Sequence, residues 1–106
     1  MKIQIQREAL KDAMSLLGIV IPNHSPKPVI RCVRIVAEEG KVTLHGTNLE
    51  TTVLYEVSQV MVDEPGEVLV QSSLLHDIAR AGRSDVLVIR STQSGCEIVE
   101  EDARYE

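Results

Sequence analysis

Apolar residues fall at every second position through most of this chain, and twice that rhythm gives way to helical spacing. Residues 1–6 alternate with Ile3 and Ile5 on one side, the mark of a short half-buried strand. From about Arg7 the period lengthens. Leu10, Ala13, Met14 and Leu17 share one helical face, and Arg7, Glu8, Lys11, Asp12 and Ser15 share the other. Gly18 is the expected stop, because Pro22 blocks continuation beyond it. Three prolines within residues 22–28 make that segment an extended loop.

Strand runs resume at about Val29–Ala37, and Glu38-Glu39-Gly40 reads as a hairpin turn. In the centre of the chain, residues 40–57, Val42 and Leu44 face one way on one run, as do Val53, Tyr55 and Val57 on the next. Between them Gly46 and Asn48, within Gly46-Thr47-Asn48-Leu49-Glu50, are expected to make the turn, since both tolerate positive φ or bond their own backbone. Glu64-Pro65-Gly66 is a further turn and Glu67–Gln71 a further strand. Ser72 or Ser73 then caps a second helix with Leu74, Leu75, Ile78 and Ala79 on its buried face and Gly82 at its end. Val86–Ile89 and Cys96–Val99 are the last strand runs. The order strand, helix, four or so strands, helix, two strands predicts an α+β fold, two helices packed on a mostly antiparallel sheet.

At 106 residues the chain reads as a single domain, 1–106, or as a fragment of something larger. Such a length buries about two-thirds of the unfolded surface. With no Phe or Trp, and only Tyr55 and Tyr105 as aromatics, the core must be aliphatic. The chain stops at Arg104-Tyr105-Glu106 without a turn or helical cap, as an interrupted chain would. Cys32 and Cys96 each lie in a strand-like run and read as buried free thiols; a disulfide would need the two strands to be neighbours. No secretory signal, long apolar run or lipidation motif is present, so a soluble, cytoplasmic chain is expected.

Eleven basic against sixteen acidic residues leave a net charge of -5. That balance argues against a protein that coats nucleic acid, while leaving room for a local basic face. There is no P-loop, no Gly-x-Gly-x-x-Gly, no Cys-x-x-Cys and no His-Glu-x-x-His. His24, His45 and His76 lack ligand-like spacing, so neither a metal nor a cofactor is expected. Nothing places a base beside Cys32, Cys96 or a serine, and no catalytic residue is assigned. Glu97, Glu100, Glu101 and Asp102 read as a charged strand edge that discourages aggregation. Two cationic stripes remain: Arg7 and Lys11 one turn apart on the first helix, and His76, Arg80 and Arg83, with Asp77 beside them, on the second. Such stripes are either solvated surface or a rail for a phosphate backbone.

The whole chain resembles the N-terminal domain of the bacterial sliding clamp, the DNA polymerase III beta subunit. The resemblance is spread along the length. It begins with Met1-Lys2-Ile3 and Arg7-Glu8-Ala9-Leu10, and continues through Pro28-Val29-Ile30 and Gly46-Thr47-Asn48-Leu49-Glu50. Glu64-Pro65-Gly66-Glu67-Val68 and Leu75-His76-Asp77-Ile78-Ala79-Arg80 complete it. The central Gly-Thr-Asn-Leu-Glu is close to the family's usual Thr-Asp-Leu-Glu. The resemblance implies the DNA-clamp fold and a non-enzymatic part in DNA replication. In that family, subunits of three such domains pair head to tail as a homodimer ring around duplex DNA. Helices line the hole, and the ring acts as a sequence-independent processivity factor for the replicative polymerase.

By position, the resemblance implies a DNA-facing surface of Arg7, Lys11, His24, Lys27, Arg80 and Arg83. It implies a subunit interface that includes Ser73, Leu74, Arg104 and Tyr105. The implied partners are double-stranded DNA, a second copy of the chain for ring closure, and DNA polymerase and clamp loader through the full-length protein. The family's client-peptide pocket lies in its last domain, outside these residues. Three features depart from the pattern. His24 stands where relatives often carry arginine, Ser73 and Leu74 replace a usually basic helix start, and Asp12 adds negative charge. The depleted basic start of the second helix and the acidic net charge motivate an alternative, a protein–protein interaction module with a clamp-like fold that does not encircle DNA, with an exposed apolar edge near Ile98 to Tyr105.

Overall fold

The computed structural model describes residues 1–21, 31–47, 51–58, 60–81, 85–93 and 95–99, with the backbone course of 100 and 103–105. The elements run β1 (Lys2–Gln6), α1 (Arg7–Leu17), β2 (Cys32–Glu38), β3 (Lys41–Thr47), β4 (Thr52–Val57), β5 (Val60–Glu64) and β6 (Gly66–Gln71). They finish with α2 (Ser72–Ala81), β7 (Val86–Thr92), β8 (Gly95–Glu100) and β9 (Ala103–Tyr105). The expected α+β class with two helices is what forms, but the strands divide into two sheets. One is five-stranded in the order β5-β1-β7-β8-β9, the other four-stranded in the order β4-β3-β2-β6. Every ladder in both is antiparallel.

Each helix follows a strand without a loop: Gln6 leads directly into α1 and Gln71 into α2. That junction turns the chain off a sheet and lays the helix against the inner faces. Leu10, Ala13, Met14 and Leu17 of α1 and Leu75, Ile78 and Ala79 of α2 are buried, as their spacing predicts. They join Ile3, Ile5, Val33, Ile35, Val42, Leu44, Leu87, Ile89 and Ile98 in one aliphatic core. Gly18 ends α1, its N–H returning to the carbonyl of Met14 at 2.9 Å. In α2, Leu74 is only half-buried, and Ser72 takes a buried place in the first turn.

Gly46 corrects the expected turn. It lies inside β3, is buried, and pairs with Val53 of β4. A Cβ there would stand 3.0 Å from both Leu17 Cδ2 and Ile21 Cδ1, so glycine lets the end of α1 approach the sheet without displacing those side chains. Gly40, with φ 79°, lies in the expected turn between β2 and β3. Asn48, Leu49 and Glu50 lie outside the described residues. Among the described residues the helices are separated by five strands and followed by three; β5 and β9 are the additions to the expected pattern.

Cys32 sits in β2 and Cys96 in β8, strands of different sheets, so the neighbouring-strand condition for a disulfide fails; both side chains are half-buried. Glu97 is not part of a solvated acidic edge. It is buried and paired with Arg90. Ile98 is also buried, so it supplies no exposed apolar edge. No helix among the described residues is long and apolar enough to cross a membrane.

Candidate nucleic-acid interface

The two helices pack side by side. Opposite their buried stripes α1 exposes Glu8, Lys11, Asp12, Ser15 and Leu16, and α2 exposes Ser73, Asp77 and Arg80. This is the surface to which the cationic stripes belong. Lys11 and Arg80 stand on it as expected. Nη1 of Arg80 lies 3.4 Å from Nε2 of His76 one turn earlier, the i, i+4 spacing that brings helix neighbours together. His24, Lys27 and Arg83 lie outside the described residues.

Arg7 behaves differently from its expected place on the outer face. It is half-buried, and its guanidinium reaches across to α2, donating from Nη1 to the carbonyl of Ile78 and, at 3.4 Å, to that of Ala79. Its backbone N–H donates to the carbonyl of Asp85 at 2.7 Å, just before β7. Helical periodicity puts residue 7 on the polar side and carries no sign of a partner in another helix. The one available hint was electrostatic, since a cation in the first turn opposes a helix dipole.

Charge on this face is mixed. On α1 the exposed Lys11 stands beside the exposed Glu8 and Asp12, and on α2 the exposed Arg80 stands beside the exposed Asp77. The described helices therefore form a mixed surface and not a strongly basic one. Such a face offers single cations without a base-reading element.

The expected interface residues fall in two places. Ser73, exposed, and Leu74, half-buried, lie in the first turn of α2. Arg104 and Tyr105 belong to β9, an edge strand of the five-stranded sheet whose described partner is β8, with backbone register Val99↔Arg104 and Ile98↔Tyr105. The side chains of Arg104 and Tyr105 lie outside the described residues.

Nothing in the described surface suggests catalysis. A shallow cleft of about 290 Å³ between α1 and β4 is lined by Glu8, Asp12, Tyr55 and Glu56. It brings carboxylates together without a nucleophile–base pair. Among the described residues no group of three or more His, Cys, Asp or Glu is placed to hold a metal ion. Burial, and next the charge of Glu97, push the Cys96 thiol above its ordinary range, so it is a poor nucleophile.

The chain was compared with known families and structures. Residues 1–105 match the family model for the DNA polymerase III beta subunit, N-terminal domain. The beta sliding clamp of Pseudomonas aeruginosa is 35% identical over 88 residues, which is 83% of this chain and 24% of that protein. The beta sliding clamp of Streptomyces coelicolor is 35% identical over 81 residues, 76% of this chain and 21% of that protein. This chain thus spans about a quarter of the length of these relatives. Among solved structures, the DNA polymerase III subunit beta from Pseudomonas aeruginosa superposes with a TM-score of 0.89 at 31% identity, over 99% of this chain and 29% of that one. The Caulobacter crescentus pol III beta structure gives a TM-score of 0.93 at 20% identity, over 100% of this chain and 29% of that one, and speaks for the fold. By the match of all but its final residue, this chain belongs to the family of the DNA polymerase III beta subunit N-terminal domain.

Proposed function

We propose that this chain acts as the first domain of a ring-shaped sliding clamp, a non-catalytic processivity factor that encircles duplex DNA in the bacterial cytoplasm. The observation that carries the proposal is the superposition of this chain, from end to end, on the DNA polymerase III subunit beta of Pseudomonas aeruginosa at 31% identity. Lys11 and Arg80 on the paired helices are the described candidates for facing DNA; His24, Lys27 and Arg83 join the proposal from the family resemblance alone, and Arg7 lies beside the paired helices' exposed face. The mixed charge of the face suits this role. A ring holds DNA by topology, and tight phosphate contacts would oppose sliding.

Ring closure needs surfaces that accept another domain. β9, carrying Arg104 and Tyr105, is an edge strand, and an open edge offers its backbone N–H and C=O groups to a further strand. Together with Ser73 and Leu74 it is the proposed contact with a partner subunit. DNA polymerase and the clamp loader are the proposed clients of the full-length protein. The alternative, a module that keeps the fold without encircling DNA, is weaker, since the relatives matched are themselves beta sliding clamps.

The test is topological. The full-length protein is loaded onto nicked circular DNA, and retention is followed before and after the circle is cut once. Retention on the circle and rapid loss from the linear product are expected. Equal retention on both would refute encirclement.

A further inference from the structure

We infer that Arg7 is a positioning residue, a clip that holds the Arg80-bearing end of α2 against the start of α1, and that it does not itself neutralise a phosphate. The inference rests on the proposed clamp function, because it concerns how the DNA-facing surface is built. Its basis is a set of bonds between three segments. The carbonyls of Ile78 and Ala79 belong to the last four residues of α2, whose carbonyls have no partner within the helix. The Arg7 guanidinium supplies that partner, its Nη1 donating to both adjacent carbonyls. The same residue's backbone N–H holds the carbonyl of Asp85, on the far side of the α2–β7 connection. One residue at the head of α1 thus grips the chain both in the last turn of α2 and just before β7.

The electrostatics point the same way. A cation in the first turn of α1 sits at the positive end of that helix's dipole, where it is unfavourable. The same cation at the carbonyl end of α2 is favourable. Arg7 therefore serves α2 at some cost to its own helix, an arrangement that makes sense if the relation of the two helices matters. Half-buried between them, its guanidinium would have to abandon the α2 carbonyls in order to meet a phosphate.

The test combines two readouts on the full-length protein. The first is binding to a short duplex oligonucleotide, measured by fluorescence anisotropy across a salt series. A residue that neutralises a phosphate contributes about 0.9 to the slope of log K against log salt concentration. The second is amide hydrogen exchange at the end of α2. For Arg7→Ala, we expect a salt slope equal to that of the unaltered protein, with exchange at Ala79–Ala81 accelerated roughly tenfold by loss of the cap. A slope reduced by about 0.9 with unchanged exchange would overturn the inference. Should Arg7→Ala fail to fold, Arg7→Met decides. It keeps the aliphatic length and removes every donor, so faster exchange at the end of α2 supports the clip, and exchange like that of the unaltered protein refutes it. Absence of salt-dependent DNA binding in the unaltered protein would count against the clamp function, while the exchange readout would still report on the clip.

Discussion

Arg90 of β7 and Glu97 of β8 face each other across the five-stranded sheet, and the guanidinium donates to a single carboxylate oxygen, Oε2, from Nη2 at 2.8 Å and from Nε at 3.2 Å. The pair is asymmetric: the Glu97 side chain is 7% exposed and that of Arg90 46%. Removing Arg90 therefore takes two charge-assisted hydrogen bonds from a buried carboxylate. Arg90→Ala is expected to destabilise the domain by about 1–3 kcal/mol, measured as a fall in the urea midpoint at constant slope. Arg34 and Glu67 pair between β2 and β6 with both side chains about half exposed, so Arg34→Ala should cost less than about 1 kcal/mol. Equal losses at the two sites would contradict this ranking.

Gly46→Ala tests the close approach of α1 to β3. The added methyl would meet Leu17 and Ile21 at 3.0 Å, and overpacking of this kind costs about 1–3 kcal/mol. Gly40→Ala meets nothing within 4 Å and suffers only through its φ of 79°, a backbone cost of about 1–2 kcal/mol. A second substitution separates the two causes. Trimming Leu17 to Ala should partly rescue Gly46→Ala and leave Gly40→Ala unrescued, as double-mutant cycles in thermal unfolding would reveal.

Cys96 predicts an alkaline limb in stability. Burial, then Glu97, raise its folded-state pKa, so the native chain binds this proton more tightly than the unfolded chain does. The contribution is fully present below the ordinary thiol value, about 8.5, and is lost as pH rises through the higher folded value. The stability difference between the unaltered protein and Cys96→Ala should therefore narrow as pH rises from about 8 to 10. A difference that stays constant over that range would mean the thiol stays equally protonated in both states.

On the candidate DNA face, Lys11→Ala and Arg80→Ala should each lower the salt slope of duplex binding by about 0.9 while leaving the unfolding midpoint nearly unchanged. Asp12→Asn should strengthen binding, because it removes negative charge from the exposed side of α1. If Asp12→Asn weakens binding or has no effect at low salt, the exposed face of α1 is not the side that meets DNA.

Much of this molecule is legible in local pattern. The burial of Leu10, Ala13, Met14 and Leu17 follows from helical spacing, and that of Ile3, Ile5, Val42 and Leu44 from alternation, because each depends only on which side of its own element a residue occupies. The stop at Gly18 was equally readable. The family was legible too, since its signature is spread over residues adjacent in the sequence. The candidate site was legible in part: Lys11 and Arg80 stand on the exposed helix faces where periodicity put them, whereas the role of Arg7 was hidden.

What the sequence by itself determined, then, was the type and polarity of each element, the α+β order, the aliphatic core and the family. Tertiary structure alone decided which elements meet. It divided the strands into two sheets, turned Gly46 from an expected turn residue into a contact point for Leu17 and Ile21, buried Glu97 against Arg90, and sent Arg7 across to Ile78 and Ala79. The physical reason is common to all four. Periodicity records the side of an element that leaves water, while packing depends on partners far away in the chain, and no local pattern encodes their distance.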